Sequence, residues 1–209
     1  GEREELQPPC LSQQFGGDID SSEVPKSPVF KDVAEQLKKS GKAKAVGFTC
    51  HDSQLTRYLQ VAAEGDFVDV IMMSYDPFDR PAEMEKAIDA CHKAGIGLVA
   101  MKVSRAGGKV PVRLPELDKI GLTTRQGLLH AAWSDERLSA VCLGIDNLQQ
   151  MDENTKAARL YKGPLKMAHV NVLREAVVAS GRTLCPGCDG RCKEACGNPQ
   201  LALNDIARL

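Results

Sequence analysis

Four cysteines near the C-terminus, Cys185, Cys188, Cys192 and Cys196, follow one another with the spacing C-x2-C-x3-C-x3-C. Four thiolates this close in one glycine-containing turn can converge on a single soft metal centre. Gly187 and Gly190 give the backbone the freedom to turn N–H groups toward the sulfurs. The run differs from the ferredoxin spacing C-x2-C-x2-C-x3-C-P by one inserted residue, and by Gly197 where proline would follow. Structural zinc usually takes two cysteine knuckles separated by a longer spacer than this one. The spacing therefore favours a [4Fe–4S] cluster, with zinc, disulfides or free thiols as alternatives. Arg182, Arg191 and Lys193 would offset the negative charge of a thiolate-bound cluster.

The other chemistry-bearing residues are dispersed. Cys10, Cys50, Cys91 and Cys142 are scattered through the chain. Cys50 and His51 adjoin at the end of an apolar run, but neighbouring side chains diverge on a strand, so a structural role is expected rather than a nucleophile–base pair. His92, His130 and His169 lie in helical stretches with no second ligand at metal spacing, so no histidine metal site is expected. Among the three tyrosines, Tyr58 reads as part of an apolar helix face, Tyr75 falls near a strand end and Tyr161 at a helix end.

Composition limits what these groups can serve. The 209 residues carry 27 Lys+Arg against 28 Asp+Glu, a net charge of −1 that offers no steering toward nucleic acid or an anionic membrane. Aromatic residues make up 4%, too few for a base-stacking platform. No apolar run approaches the roughly 20 residues of a membrane span. The charged start, Gly1 to Glu5, lacks the apolar stretch of a signal peptide, so any targeting segment is expected to be absent or already removed.

The elements that must position the candidates alternate in type. Residues 1–28 are punctuated by prolines and glycines and read as irregular, with a body over 29–181 and the cysteine-rich segment over 182–209. Strands are expected at 43–49, 68–75, 97–103 and 139–144. Helices are expected around 29–40, 55–62, 84–94, 124–133, 147–160 and 165–179. A Gly/Pro-containing stretch over 104–122 is long enough for a binding or lid loop. Strands alternating with amphipathic helices mean an α/β fold of parallel (β/α) units. Strand centres near Val46, Val70, Leu98 and Val141, with no G-x-G-x-x-G after any of them, favour four consecutive units of a (β/α)8 TIM barrel over a doubly wound sheet.

Several runs, taken in order, resemble one family. Leu37 to His51 resembles the passage into the fifth strand of aldo-keto reductases, and Val68 to Pro77 resembles their sixth. Asp89 to Lys102 resembles the helix and seventh strand, and Trp133 to Cys142 with Gly144 to Asn154 the eighth strand and its helix. With the appended cysteines, the likeness is to the bacterial branch that carries a C-terminal iron–sulfur segment.

The resemblance implies the second half of a barrel, from an oxidoreductase that reduces carbonyls with NADPH. Gln150, Glu153 and Asn154 match family positions that hold the adenosine of NADP, although the same three residues also suit a solvated helix face. Ser74 stands where the family often has Gln beneath the nicotinamide, and Thr49 where it has Ser; Tyr75 matches a position that packs on the nicotinamide. Asp146 occupies the turn where a group for the 2′-phosphate is expected, and would repel it. The family's Asp, Tyr, Lys and His of carbonyl reduction have no counterparts here, since the first half of the barrel supplies most of them. The implied function is thus an electron-transferring oxidoreductase, or a non-catalytic electron-transfer or assembly subunit, or a degenerate barrel with structural zinc. An open half-barrel calls for a partner, either another polypeptide or a second copy. Clustered thiolates persist best in reducing surroundings, which points to the cytoplasm, with the periplasm after folded export as the alternative.

Overall fold

The computed structural model describes residues 23–50, 53–103, 110 and 113–180, together with the backbone of a strand at 11–15. Five strands form one parallel sheet in the order β1-β2-β3-β4-β5: β1 Leu11–Phe15, β2 Val46–Cys50, β3 Val70–Ser74, β4 Gly97–Met101 and β5 Leu138–Cys142. Each strand pairs with the next one in sequence. A doubly wound sheet would reverse its order at a switch point, whereas sequential order is that of contiguous barrel units. The α/β reading of parallel units therefore holds, with five strands in place of four. The expectation of an irregular segment over 1–28 is corrected at Leu11–Phe15, which pairs with β2 from Leu11↔Val46 to Phe15↔Cys50, and at Val24–Lys26, a 3-10 turn. The prolines and glycines around residues 11–15 masked a strand too short to show a period of its own.

The helices are α1 Pro28–Lys39, α2 Leu55–Glu64, α3 Ala82–Lys93, α4 Pro115–Asp118, α5 Thr124–Trp133, α6 Leu148–Leu160 and α7 Met167–Ala179. The first three cover one face of the sheet. Phe48, Cys50, Ile71, Met73, Leu98 and Ala100 point into that layer, against Ala34, Leu59, Ala62, Ile88 and Cys91. The alternate residues face the other way, and Val70, Met72 and Ser74 of β3 and Val99 of β4 stay partly exposed. In register, Thr49, Met72, Val99 and Ala140 form one row across that inner face, and Ser74, Met101 and Cys142 form the row above.

Two glycines stop helices at the same place in the repeat. Gly41 and Gly95 adopt φ of 71° and 77°, a left-handed conformation that costs glycine little. Lys42 then donates to Leu37 O and Ile96 to Cys91 O, which closes each helix and sends the chain into the next strand. A second, smaller core joins α4, α5 and α7 through Leu117, Leu128, Leu173 and Val177. The stretch between β4 and α5, expected as a loop, contains α4.

Candidate functional site

Barrel-type sites form at the C-terminal ends of the strands, where the loops converge. At the ends of β4 and β5 lies an open groove of about 510 Å³, lined by Met101, Lys102, Arg125, Cys142, Leu143, Gly144, Asp146 and Gln150. Lys102 follows the last residue of β4 with φ of 65°, the one non-glycine residue with positive φ among those described. Such strained conformations persist where the surrounding structure imposes them, and they gather at binding sites. Arg125 comes from the first turn of α5. That turn is fixed by a capping box in which Thr123 Oγ1 accepts from Gln126 N while the Gln126 side chain accepts from Thr123 N.

The β5–α6 turn supplies the groove's other wall. Asn147 caps α6, its Oδ1 accepting from Gln150 N at 2.9 Å, and Gln150 Oε1 accepts from Asp146 N at 2.9 Å. Asp146 is exposed and is the one carboxylate among the described lining residues. Around the groove's two helices, four buried side-chain atoms have no hydrogen-bond partner among the described residues: Thr124 Oγ1, Arg125 Nε, and both Oδ1 and Nδ2 of Asn154. Asn154 is 8% exposed and lies one turn beyond Gln150 on the same side of α6. Buried groups of this kind ordinarily find a partner, so a cluster of them beside a groove fits a polar ligand.

The residues singled out in the sequence are distributed as follows. Gln150 lines the groove. Glu153 turns toward α5, where its Oε1 accepts from Thr123 Oγ1 at 2.7 Å and its backbone oxygen accepts from Gln126 Nε2. Asn154 is buried beside it. Thr49 and Ser74 lie on the inner face of the sheet, one layer apart, and neither lines the groove. Cys50 is fully buried on the helix side, and His51 lies outside the described residues. Cys185, Cys188, Cys192 and Cys196 also lie outside them. Among the described residues, no three His, Cys, Asp or Glu side chains are grouped to hold a metal ion. Lys102 and Arg125 had no signal in the sequence, because neither belongs to a spaced motif.

Tyr75 departs from the role the resemblance implies for it. Its ring is 5% exposed, capped by the Arg80 guanidinium 4.5 Å from the centroid, and its Oη donates to Asp135 Oδ2 at 2.7 Å. It points into the helix layer with Ile71 and Met73, away from the inner face. Burial, followed by the bond to Asp135, pushes the Tyr75 hydroxyl pKa well up. Burial alone would also raise the Asp135 carboxyl, but hydrogen bonds from Arg137 and Tyr75 outweigh it and hold the pKa at about 2. The other tyrosines are committed too: Tyr161 Oη donates to Trp133 O at 2.7 Å, and Tyr58 is 3% exposed.

Comparison with known proteins agrees with this arrangement. Residues 24–126 match the aldo/keto reductase family. Among solved structures, the chain resembles aldo-keto reductase AKR11C1 from Bacillus halodurans. For the holo form the TM-score is 0.53 with 19% identity, over 80% of this chain and 59% of that one. For the apo form it is 0.52 with 19% identity, over 80% and 60%. At that identity the likeness is one of fold, and this chain spans about 60% of the length of those two. No curated protein matches the chain by sequence. The match to the aldo/keto reductase family thus covers residues 24–126, and the chain's parallel α/β sheet resembles part of the barrel of those solved structures.

Proposed function

We propose that this chain is part of an aldo/keto reductase-type oxidoreductase and that the groove at the ends of β4 and β5 holds a nicotinamide adenine dinucleotide. When bound, that cofactor supplies a hydride for carbonyl chemistry. The observation that carries the reading is the set of unpartnered buried groups, Thr124, Arg125 and Asn154, beside a groove with two cations. Lys102 and Arg125 would hold the diphosphate, which charge-assisted hydrogen bonds favour. Gln150 and Asn154, on one side of α6, would hold the adenosine end. Glu153 would act through its bond to Thr123, keeping α6 registered against the first turn of α5. Titrating the chain with reduced dinucleotide, read by nicotinamide fluorescence, tests this. Saturable binding that weakens on Asn154→Leu supports the reading, and no binding overturns it.

The cysteine quartet belongs to the same proposal. Four thiolates suit a [4Fe–4S] cluster that passes single electrons to or from the barrel, with zinc as the alternative occupant. Anaerobic purification with iron, sulfide and zinc quantification separates them. A brown protein bleached by dithionite supports the cluster, and a colourless one with one zinc per chain overturns it.

A second reading, a non-catalytic electron-transfer or assembly subunit, has one specific observation in its favour. The chain's three tyrosines are all buried or hydrogen-bonded within the fold, so none is placed to protonate a carbonyl. Among the described residues, β1 and β5 each pair on one side only, and Met72 and Val99 of the inner face are partly exposed. Further (β/α) units, on another polypeptide or a second copy, would complete the cylinder in either reading. Carbonyl reduction by the 209-residue chain alone would rule out the subunit reading. As for cellular site, no described helix is long and apolar enough to cross a membrane; reducing surroundings such as the cytoplasm are proposed for the thiolates, with the periplasm as the alternative.

A further inference from the structure

We infer that the contact between α5 and α6 is a proton-operated joint, with His130 as the positioning residue. Neutral His130 holds the two helices together beneath the groove; protonated, it lets them part. The joint does not depend on what the groove holds, whereas its effect on binding rests on the dinucleotide reading above.

This contact differs in kind from its neighbours. Helices α2 and α3 meet in the main core, where Leu59, Ala62, Ile88 and Cys91 are buried. Among the described residues four polar ones are buried, Thr124, Gln126, His130 and Asn154, and all four lie on α5 or α6. Gln126 and His130, four residues apart, share one side of α5. Both reach the backbone of α6: Gln126 Nε2 donates to Glu153 O, and His130 Nε2 lies 2.8 Å from Ala157 O. The bond from Thr123 Oγ1 to Glu153 Oε1 completes a ladder of polar contacts. Arg125 and Gln150, which line the groove, belong to α5 and α6 respectively. Movement of one helix against the other therefore alters the groove.

His130 is the rung of that ladder on which a proton acts. A carbonyl oxygen only accepts, so Nε2 carries the hydrogen and Nδ1 is the free site of the neutral ring. A proton added there makes a cation packed against Trp133 and Tyr161, whose ring centroids lie 5.7 and 5.2 Å away. The titratable groups nearby are committed elsewhere. Tyr161 Oη donates to Trp133 O, Glu136 acts on Tyr161, and Glu153 is bonded to Thr123. Among the described residues no carboxylate pairs with the imidazole, and burial holds its pKa below the ordinary 6.5. A buried cation without a counter-charge is costly, and the cost is relieved when α6 draws back and water reaches the ring. Acid thus favours the parted joint, because that state binds the proton more readily.

Trp133 is the chain's one tryptophan, so its fluorescence reports on the joint. The experiment follows that fluorescence from pH 8 to pH 5, together with hydrogen exchange of α6 and α3 corrected for the intrinsic rate at each pH. Far-ultraviolet circular dichroism checks that the helices persist. His130→Gln keeps a donor toward Ala157 O but takes up no proton; His130→Leu, which removes bond and charge together, is the second variant. In the unaltered chain the fluorescence should titrate as one proton with its midpoint below 6.5. Helix α6 should lose protection in acid by roughly threefold or more while α3 keeps its own. Both changes should vanish in the two variants. Protection of α6 that is independent of pH overturns the inference, and so does an equal loss in His130→Gln. Calorimetric titration with NADP+, which is stable in acid, then reads the groove. Its affinity should fall several-fold between pH 7.5 and 5.5, with about tenfold as the limit for one linked proton over the unit below 6.5, and should stay level in His130→Gln. Equal binding by the unaltered chain at both pH values overturns the link to the groove. If NADP+ binds at neither pH, the dinucleotide reading fails, and exchange of α6 still decides the joint.

Discussion

Tyr75 and Asp135, sixty residues apart in the chain, are joined by a 2.7 Å hydrogen bond from Tyr75 Oη to Asp135 Oδ2. Asp135 in turn accepts from Arg137, whose guanidinium also reaches Glu85 and Asp89 of α3, at 2.6 and 2.7 Å. Arg80 covers the tyrosine ring and pairs with Glu85. One network thus ties the end of β3, helix α3 and the turn into β5, next to the strand whose far end borders the groove.

Removing the network's central charge should be costly. Asp135, 11% exposed, would leave Arg137 and the Tyr75 hydroxyl short of a partner. Asp135→Asn is expected to destabilise the fold by about 2–3 kcal/mol, less than the roughly 3–5 kcal/mol of breaking a buried ion pair because Arg137 retains two other carboxylates. Tyr75→Phe should cost about 1 kcal/mol, the net worth of one hydrogen bond. Urea midpoints for both variants check the order.

Acid should act through the same residue. The Asp135 carboxyl, ordinarily near 3.8, is held at about 2 in the folded chain. A depressed carboxyl stabilises the fold above its unfolded value, and that contribution is lost as pH falls from 3.8 toward 2. Stability measured across that interval should fall less steeply in Asp135→Asn than in the unaltered chain.

His130 sets a second pH dependence, at higher pH. It is 3% exposed on α5, packed against Trp133 and Tyr161, with Nε2 2.8 Å from Ala157 O. Burial lowers its pKa below 6.5, and the bond to Ala157 opposes that only in part. The unfolded chain therefore binds a proton before the folded one does, so stability should decline as pH drops below 6.5. Denaturant midpoints at pH 7.5 and 5.5 should differ, and His130→Leu should narrow the difference.

Two glycines should resist enlargement for different reasons. A Cβ on Gly47 would sit 1.8 Å from Val70 O, a backbone atom that cannot yield without breaking the β2–β3 pairing. Gly47→Ala is expected to prevent stable folding. On Gly127 the added atom meets Leu117 Cδ1 at 2.7 Å and Leu173 Cδ1 at 3.3 Å, side chains that can shift. Gly127→Ala should cost about 1–3 kcal/mol by overpacking α4, α5 and α7. Circular dichroism melts distinguish the two outcomes.

Lys102 should show opposite effects on stability and binding. Replacing it with glycine removes the cost of a left-handed lysine, about 1 kcal/mol, and also removes one of the two cations among the groove's described lining residues. Lys102→Gly is expected to raise the melting temperature and to weaken dinucleotide binding. Thermal melts and fluorescence titration on the same preparation check both.

Much of the scaffold was legible in the sequence because it depends on local periodicity. Residues 124–133 read as a helix and form α5 over the same span, with Thr123 and Gln126 as its capping box. The apolar run around Val70 reads as a strand covered on both faces and forms β3, but Val70, Met72 and Ser74 stay partly exposed. Gly41 and Gly95 mark helix ends in the sequence and in the fold alike, since a left-handed residue is required there. Strand β1 was not legible: it carries no alternating apolar pattern, and its pairing with β2 is a long-range contact.

The residue types decided the class: alternating strands and helices with apolar strand centres can bury themselves only as parallel (β/α) units. They also placed Asp146 in a turn after the last strand. Only the tertiary structure decided which side chains meet. The sheet's register brings Lys102 beside the β5–α6 turn, turns Tyr75 away from the inner face and onto Asp135, and directs Glu153 to Thr123 instead of the groove. Periodicity assigns a residue to a face of its own element; what lies opposite that face depends on contacts between segments distant in the chain, which no local pattern encodes.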